Sequence, residues 1–140
     1  MKNNSTIHFS LLTFHSTLQT LNLRNMTFEH SKVFTFKNSV EYAAGSVVSK
    51  TMVKKPTGTV TLFAFDAGQA LSEHAAPFDA LVQIVDGKAE IIINKIPFQL
   101  SEGESIIMPA NIPHAVNANE KFKMLLTMIK EVPTFSDLKM

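Results

Sequence analysis

From residue 33 onward the hydrophobic positions alternate or run in short bursts of three to eight residues, with Gly, Pro, Asn and Asp frequent between them. That is the texture of β-strands. The runs 33–36, 46–53 and 59–65 are rich in Val, Thr and Phe and are separated by Gly45 and by Pro56-Thr57-Gly58. In 59–65 large and small side chains partly alternate, as one strand with two differently filled faces requires. Runs 80–85 and 89–93 flank Asp86-Gly87, a dipeptide suited to a tight hairpin turn with positive φ at both central residues. A further hairpin is expected at Asn94-Lys95, then runs at 97–100, 105–108, 114–116 and 122–129. No long amphipathic helix is evident. Eight or more short strands at close spacing imply an antiparallel sandwich or barrel.

Residues 1–25 differ in texture. They are rich in Asn, Ser, Thr and Leu, lack acidic residues and hold no sustained period of 2 or 3.6. They are read as an N-terminal extension, poorly ordered or absent from the mature chain, with Met26 as a candidate initiator. A secretory signal is disfavoured, because His8, Ser10 and Thr13 interrupt the apolar run and no small-residue cleavage site follows. The domain is placed at 26–132, with 133–140 as a C-terminal tail.

The 140 residues suffice for one compact domain. The formal charge is +1, from 13 basic and 12 acidic residues, and Arg24 is the sole arginine. Nucleic-acid binders concentrate positive charge on one face, and Lys50, Lys54 and Lys55 are the densest cluster available. No nucleic-acid partner is expected. No apolar run approaches the roughly 20 residues that span a bilayer, so no membrane partner is expected either. Cysteine is absent, which excludes thiol chemistry and disulfides and fits a cytoplasmic protein. Phosphate-binding loops, dinucleotide fingerprints and nucleophile elbows are also missing from the sequence.

Candidate chemistry centres on two histidines. Gly68, five residues, His74, Ala76, Ala80 and Gly87 form one spaced constellation; Gly103, five residues, Pro109, Asn111, His114 and Ala118 form another. Together they resemble the two motifs of the cupin superfamily, in its small single-domain form, over about residues 35–130. The resemblance implies an all-β double-stranded β-helix, or jelly-roll barrel, and a homodimer. It also implies a metal site in which His74 and His114 take the first and last ligand places. Ala76 stands in the second histidine place, Ala80 in the glutamate place, Asn111 in a glycine place and Ala118 in an asparagine place. A methyl group cannot coordinate, and a firmly held divalent ion generally takes at least three protein ligands.

Two readings follow. The first is a barrel that binds a small organic molecule in its interior, with at most a loosely held divalent transition metal at His74 and His114. The alternative is a metal-dependent enzyme of the isomerase or dioxygenase type. The expected pocket comprises His74, His114, Met108, Phe63, Phe65 and Met124. Glu73, His74 and His114 are the candidate catalytic groups. On a regular strand Glu73 and Asp79 would point away from the ligand positions beside them. His8, His15 and His30 fall outside both motifs.

Overall fold

A computed structural model describes residues 28–137. All eight strands among the described residues lie within the unit Ser31–Met140. They are β1 (Val47–Lys55), β2 (Gly58–Phe65), β3 (Ala70–His74), β4 (Asp79–Ile93), β5 (Ile96–Ser101), β6 (Ser105–Met108), β7 (His114–Asn117) and β8 (Phe122–Ile129). Expectations for residues 1–25 lie outside the described residues. No helix among the described residues is long and apolar enough to cross a membrane.

Every pairing is antiparallel. The first half of β4 lies between β8 and β6, and its second half lies between β7 and β5. One sheet therefore runs β1-β2-β8-β4-β6 and the other β3-β7-β4-β5, with the 15-residue β4 shared between them. The inner faces of both sheets feed one core, which includes Phe65, Val82, Ile84, Ile91, Leu100, Val116 and Phe122. The molecule is the all-β jelly roll that the sequence implies.

The Asp86-Gly87 hairpin is corrected. The chain does not reverse there; β4 continues through a bulge, where Ile84 pairs with Met124 but Asp86 pairs with Lys123 and Gly87 with Phe122. An extra residue in one strand flips the side-chain parity beyond it. Before the bulge Ala80, Val82 and Ile84 belong to the core, and after it Ala89 and Ile91 do. One strand thus serves two sheets while keeping its apolar side inward. Gly87 has φ +72°, and a Cβ there would collide with the Lys121 carbonyl. The positive-φ residue read as a turn is instead the pivot of a bulge. The true two-residue turn is Asn94-Lys95, with φ +51° and +68°, joining β4 to β5.

The strand expected at 33–36 is likewise corrected, since no strand forms there and Val33 is 98% exposed. Strand propensity reflects fit to a pleated, half-buried surface, and this segment finds no ladder to join. Residues beyond it instead contribute to a second core cluster, where Val40 buries with Leu62, Ala64 and Leu125 and Tyr42 packs alongside. Polar contacts brace this layer. The Tyr42 hydroxyl donates to Asp86 Oδ2 at 2.7 Å, Lys37 Nζ lies 3.2 Å from Asp86 Oδ1, and the buried Lys123 ammonium donates to the Lys37 carbonyl and sits 4.8 Å from the Tyr42 ring centroid. The Tyr42 hydroxyl, and after it Lys37, hold the Asp86 carboxyl below its usual range. Burial, and then the Asp86 contact, push the Tyr42 phenol above its own.

Candidate functional site

His74 ends β3 and His114 begins β7, and the two residues pair directly across the ladder. Local irregularity aims His74. Leu71 pairs with Val116, so three steps along β3 match two along β7. Leu71 would share a face with Glu73 on a regular strand. The extra residue in β3 gives that face to His74 instead, and Leu71 and His74 line the same cavity. Glu73 is left outside, bonded through both carboxylate oxygens to Lys95 Nζ at 2.6 Å.

The segments beside the two histidines are stitched together. Asn111, at φ +62°, donates its N–H to the Ala76 carbonyl at 2.7 Å. Its side chain type tolerates that backbone, so the missing motif glycine leaves the turn intact. Asp79 Oδ1 accepts from Ala110 N at 2.8 Å, which commits this carboxylate to the loop. Asn94 N donates to the Pro113 carbonyl at 2.8 Å, which anchors the other side of the loop to the β4–β5 turn.

The cavity so framed has a volume of about 200 Å³. His74 and His114 are its polar side chains, while its walls include Leu71, Phe78, Val116 and Leu126. His114 is 6% exposed whereas His74 is exposed to solvent, so the polar end runs from the interior to the mouth. The rings meet edge to face with centroids 4.4 Å apart. Each ring uses Nδ1 locally: His74 Nδ1 is 2.8 Å from the Ser72 carbonyl, and His114 Nδ1 is 3.1 Å from the Ile112 carbonyl. A carbonyl oxygen only accepts, so in the neutral rings Nδ1 bears the hydrogen and Nε2 remains an acceptor.

Of the pocket residues expected from sequence, His74, His114, Met108 and Met124 line the cavity. Phe63 and Phe65 are not among its walls. Phe65 is fully buried and stacked on Phe122, with centroids 4.6 Å apart and planes at 11°, and Phe63 packs against the same core. The sequence reading missed Leu71, Phe78, Val116 and Leu126 as cavity walls. The two-residue period from Met124 through Leu126 to Met128 signals the latter pair, but the bulge in β3 hides Leu71.

Ala76 and Ala80 also line this cavity, so the places that would hold two further ligands face the site and carry methyl groups. Among the described residues no group of three or more His, Cys, Asp or Glu side chains could hold a metal ion. A tightly bound divalent ion does not fit this donor set. In the row across the sheet Ala80 pairs with Met108 on one side and Met128 on the other, and all three bound the cavity. Where a carboxylate would have stood, the wall is therefore apolar.

Residues 61–130 match the family model of the cupin domain. Among solved structures, the chain is similar to a conserved protein of unknown function from Streptococcus pyogenes, at 38% identity, covering 76% of this chain and 94% of that one with a TM-score of 0.73. A cupin 2 conserved barrel domain protein from Leptotrichia buccalis is 48% identical over 65% of this chain, with a TM-score of 0.64; the match spans 44% of that longer chain. A cupin superfamily protein from Desulfitobacterium hafniense shares the fold at 23% identity and a TM-score of 0.70, over 74% of this chain and 94% of that one. No protein of curated function matches the chain.

Proposed function

The chain belongs to the cupin family, and we propose that it is a binding barrel, taking a small organic molecule into the cavity with the ligand's polar group against His74 and His114. One observation carries this reading: the cavity is apolar except for two imidazoles at one end. Pockets of that make-up bind by excluding water from apolar surface and orient the guest through a few placed polar groups. A divalent metal belongs to this reading only as a weakly held ion on two histidines, since Ala76 and Ala80 contribute no donors. Glu73, engaged by Lys95 outside the cavity wall, is not assigned a catalytic role. A second copy of the chain is part of the proposal, supported by Ile107 and Ile129 standing 63% and 69% exposed on strands.

The test joins metal analysis to a ligand melt. Protein purified without chelator should carry well under one equivalent of transition metal, and small apolar molecules should raise its melting temperature. A ligand at a hundred times its Kd stabilises by about 2.7 kcal/mol. Near-stoichiometric metal that disappears in His74→Ala would overturn the binding-barrel reading in favour of a metal enzyme.

A further inference from the structure

The orientation of the two histidines restricts the guest that the proposed binding barrel takes, and the inference rests on that reading. Both Nδ1 atoms are engaged by backbone carbonyls, so the polar end of the cavity offers two Nε2 acceptors in the neutral state. The other lining side chains, among them Leu71, Phe78, Val116 and Leu126, provide neither a charged group nor a hydrogen-bond donor. A carboxylate or phosphate would oppose its lone pairs to those acceptors with no Lys or Arg on the wall to offset them. An ammonium ion would be drawn from water into an apolar chamber without a carboxylate partner. Both arrangements leave a charge without a compensating partner in an apolar site, which disfavours them. An uncharged hydroxyl or N–H group instead supplies the hydrogen that both rings lack.

Size narrows the class further. An apolar cavity of about 150 Å³ accepts benzene, so one of about 200 Å³ accommodates a single six-membered ring with one or two small substituents. The open side lies toward exposed His74, whereas His114 is buried. The apolar body of the guest therefore fills the space bounded by Phe78, Met108, Met124 and Met128, and its donor sits at the histidine end. We propose that the ligand is an uncharged, ring-sized apolar molecule carrying an O–H or N–H donor directed at Nε2 of His74 and His114.

A series of ring compounds tests this on the full chain at pH 8. Phenol supplies the donor, anisole and toluene keep the ring without it, and benzoate replaces it with charge. Phenol should bind about tenfold more tightly than anisole or toluene, and benzoate more weakly than either. In ¹⁵N spectra the Nε2 resonances of two histidines should move on adding phenol while the Nδ1–H tautomer is retained. His74→Leu should reduce the preference for phenol over toluene to less than about threefold. Equal binding of phenol, anisole and toluene would overturn the donor class and leave the binding barrel standing. Strongest binding by benzoate would do the same. Failure of all four to bind would count against the binding barrel itself. Should His74→Leu not fold, the wild-type series and the ¹⁵N shifts decide the matter alone.

Discussion

Two rows of side chains cross the same sheet and meet opposite fates. At one end, Phe65 of β2, Phe122 of β8 and Gly87 of β4 stand side by side. The two rings stack at 4.6 Å, Gly87 fits against Phe122 because it has no side chain, and Tyr42, Lys37 and Lys123 gather around Asp86 beside it. At the other end Ala80 lies between Met108 and Met128. Beneath that row the barrel is hollow. On β8 the closed end carries the ring of Phe122 and the open end carries Met128 beside Ala80, so the two ends differ in the side chains that face inward. A barrel interior can be a packed core or a container according to a few residues facing inward.

The sharpest way to break the contrast is to enlarge a side chain at each end. Gly87→Ala should destabilise the protein by about 2–4 kcal/mol, because a methyl group meets the Lys121 carbonyl and a positive φ together; denaturant unfolding would measure it. An effect under about 0.5 kcal/mol would mean that the closed end yields as readily as the open one.

The polar brace gives a smaller effect with a definite pH signature. Asp86→Asn should cost about 1–2 kcal/mol at neutral pH. Because the folded carboxyl titrates below its unfolded value, its stabilisation is complete above the unfolded pKa of about 3.9 and is lost as pH falls through the folded value. Wild type and variant should thus converge in stability at acid pH. A gap that persists unchanged to low pH would show that the brace does not act through this carboxylate.

The smallest change in stability is expected at the open end. Ala80→Leu places its added carbons in the cavity, so stability should move by no more than about 1 kcal/mol while the thermal shift with phenol disappears. A loss comparable to that of Gly87→Ala would show that the space beside Ala80 is not available to a side chain.

Much of the barrel was legible before any coordinates. β6 and β8 were read with their observed bounds, β2 to within a residue, and the Asn94-Lys95 turn from its residue types. These features are local, carried by period-two patterning and by residues that tolerate positive φ. The closeness of His74 and His114 was legible through motif spacing. What failed was also local in appearance. Asp86-Gly87 reads as a hairpin because a reversal and a bulge both favour a glycine at positive φ, and 33–36 reads as a strand because propensity says nothing about an available edge.

The sequence by itself determined an all-β cupin barrel, the punctuation of its turns and the loss of donors at two of four ligand places, since spacing, residue type and the chemistry of a methyl group need no coordinates. Only the tertiary structure decided which side chains bound the cavity. A bulge of one residue turned His74 inward and Glu73 outward, the carbonyl groups of Ser72 and Ile112 fixed the acceptor nitrogens, and Phe65 went to the stacked end. Parity after a bulge, and contact between strands far apart in sequence, exist only once the sheets have closed around a shared core.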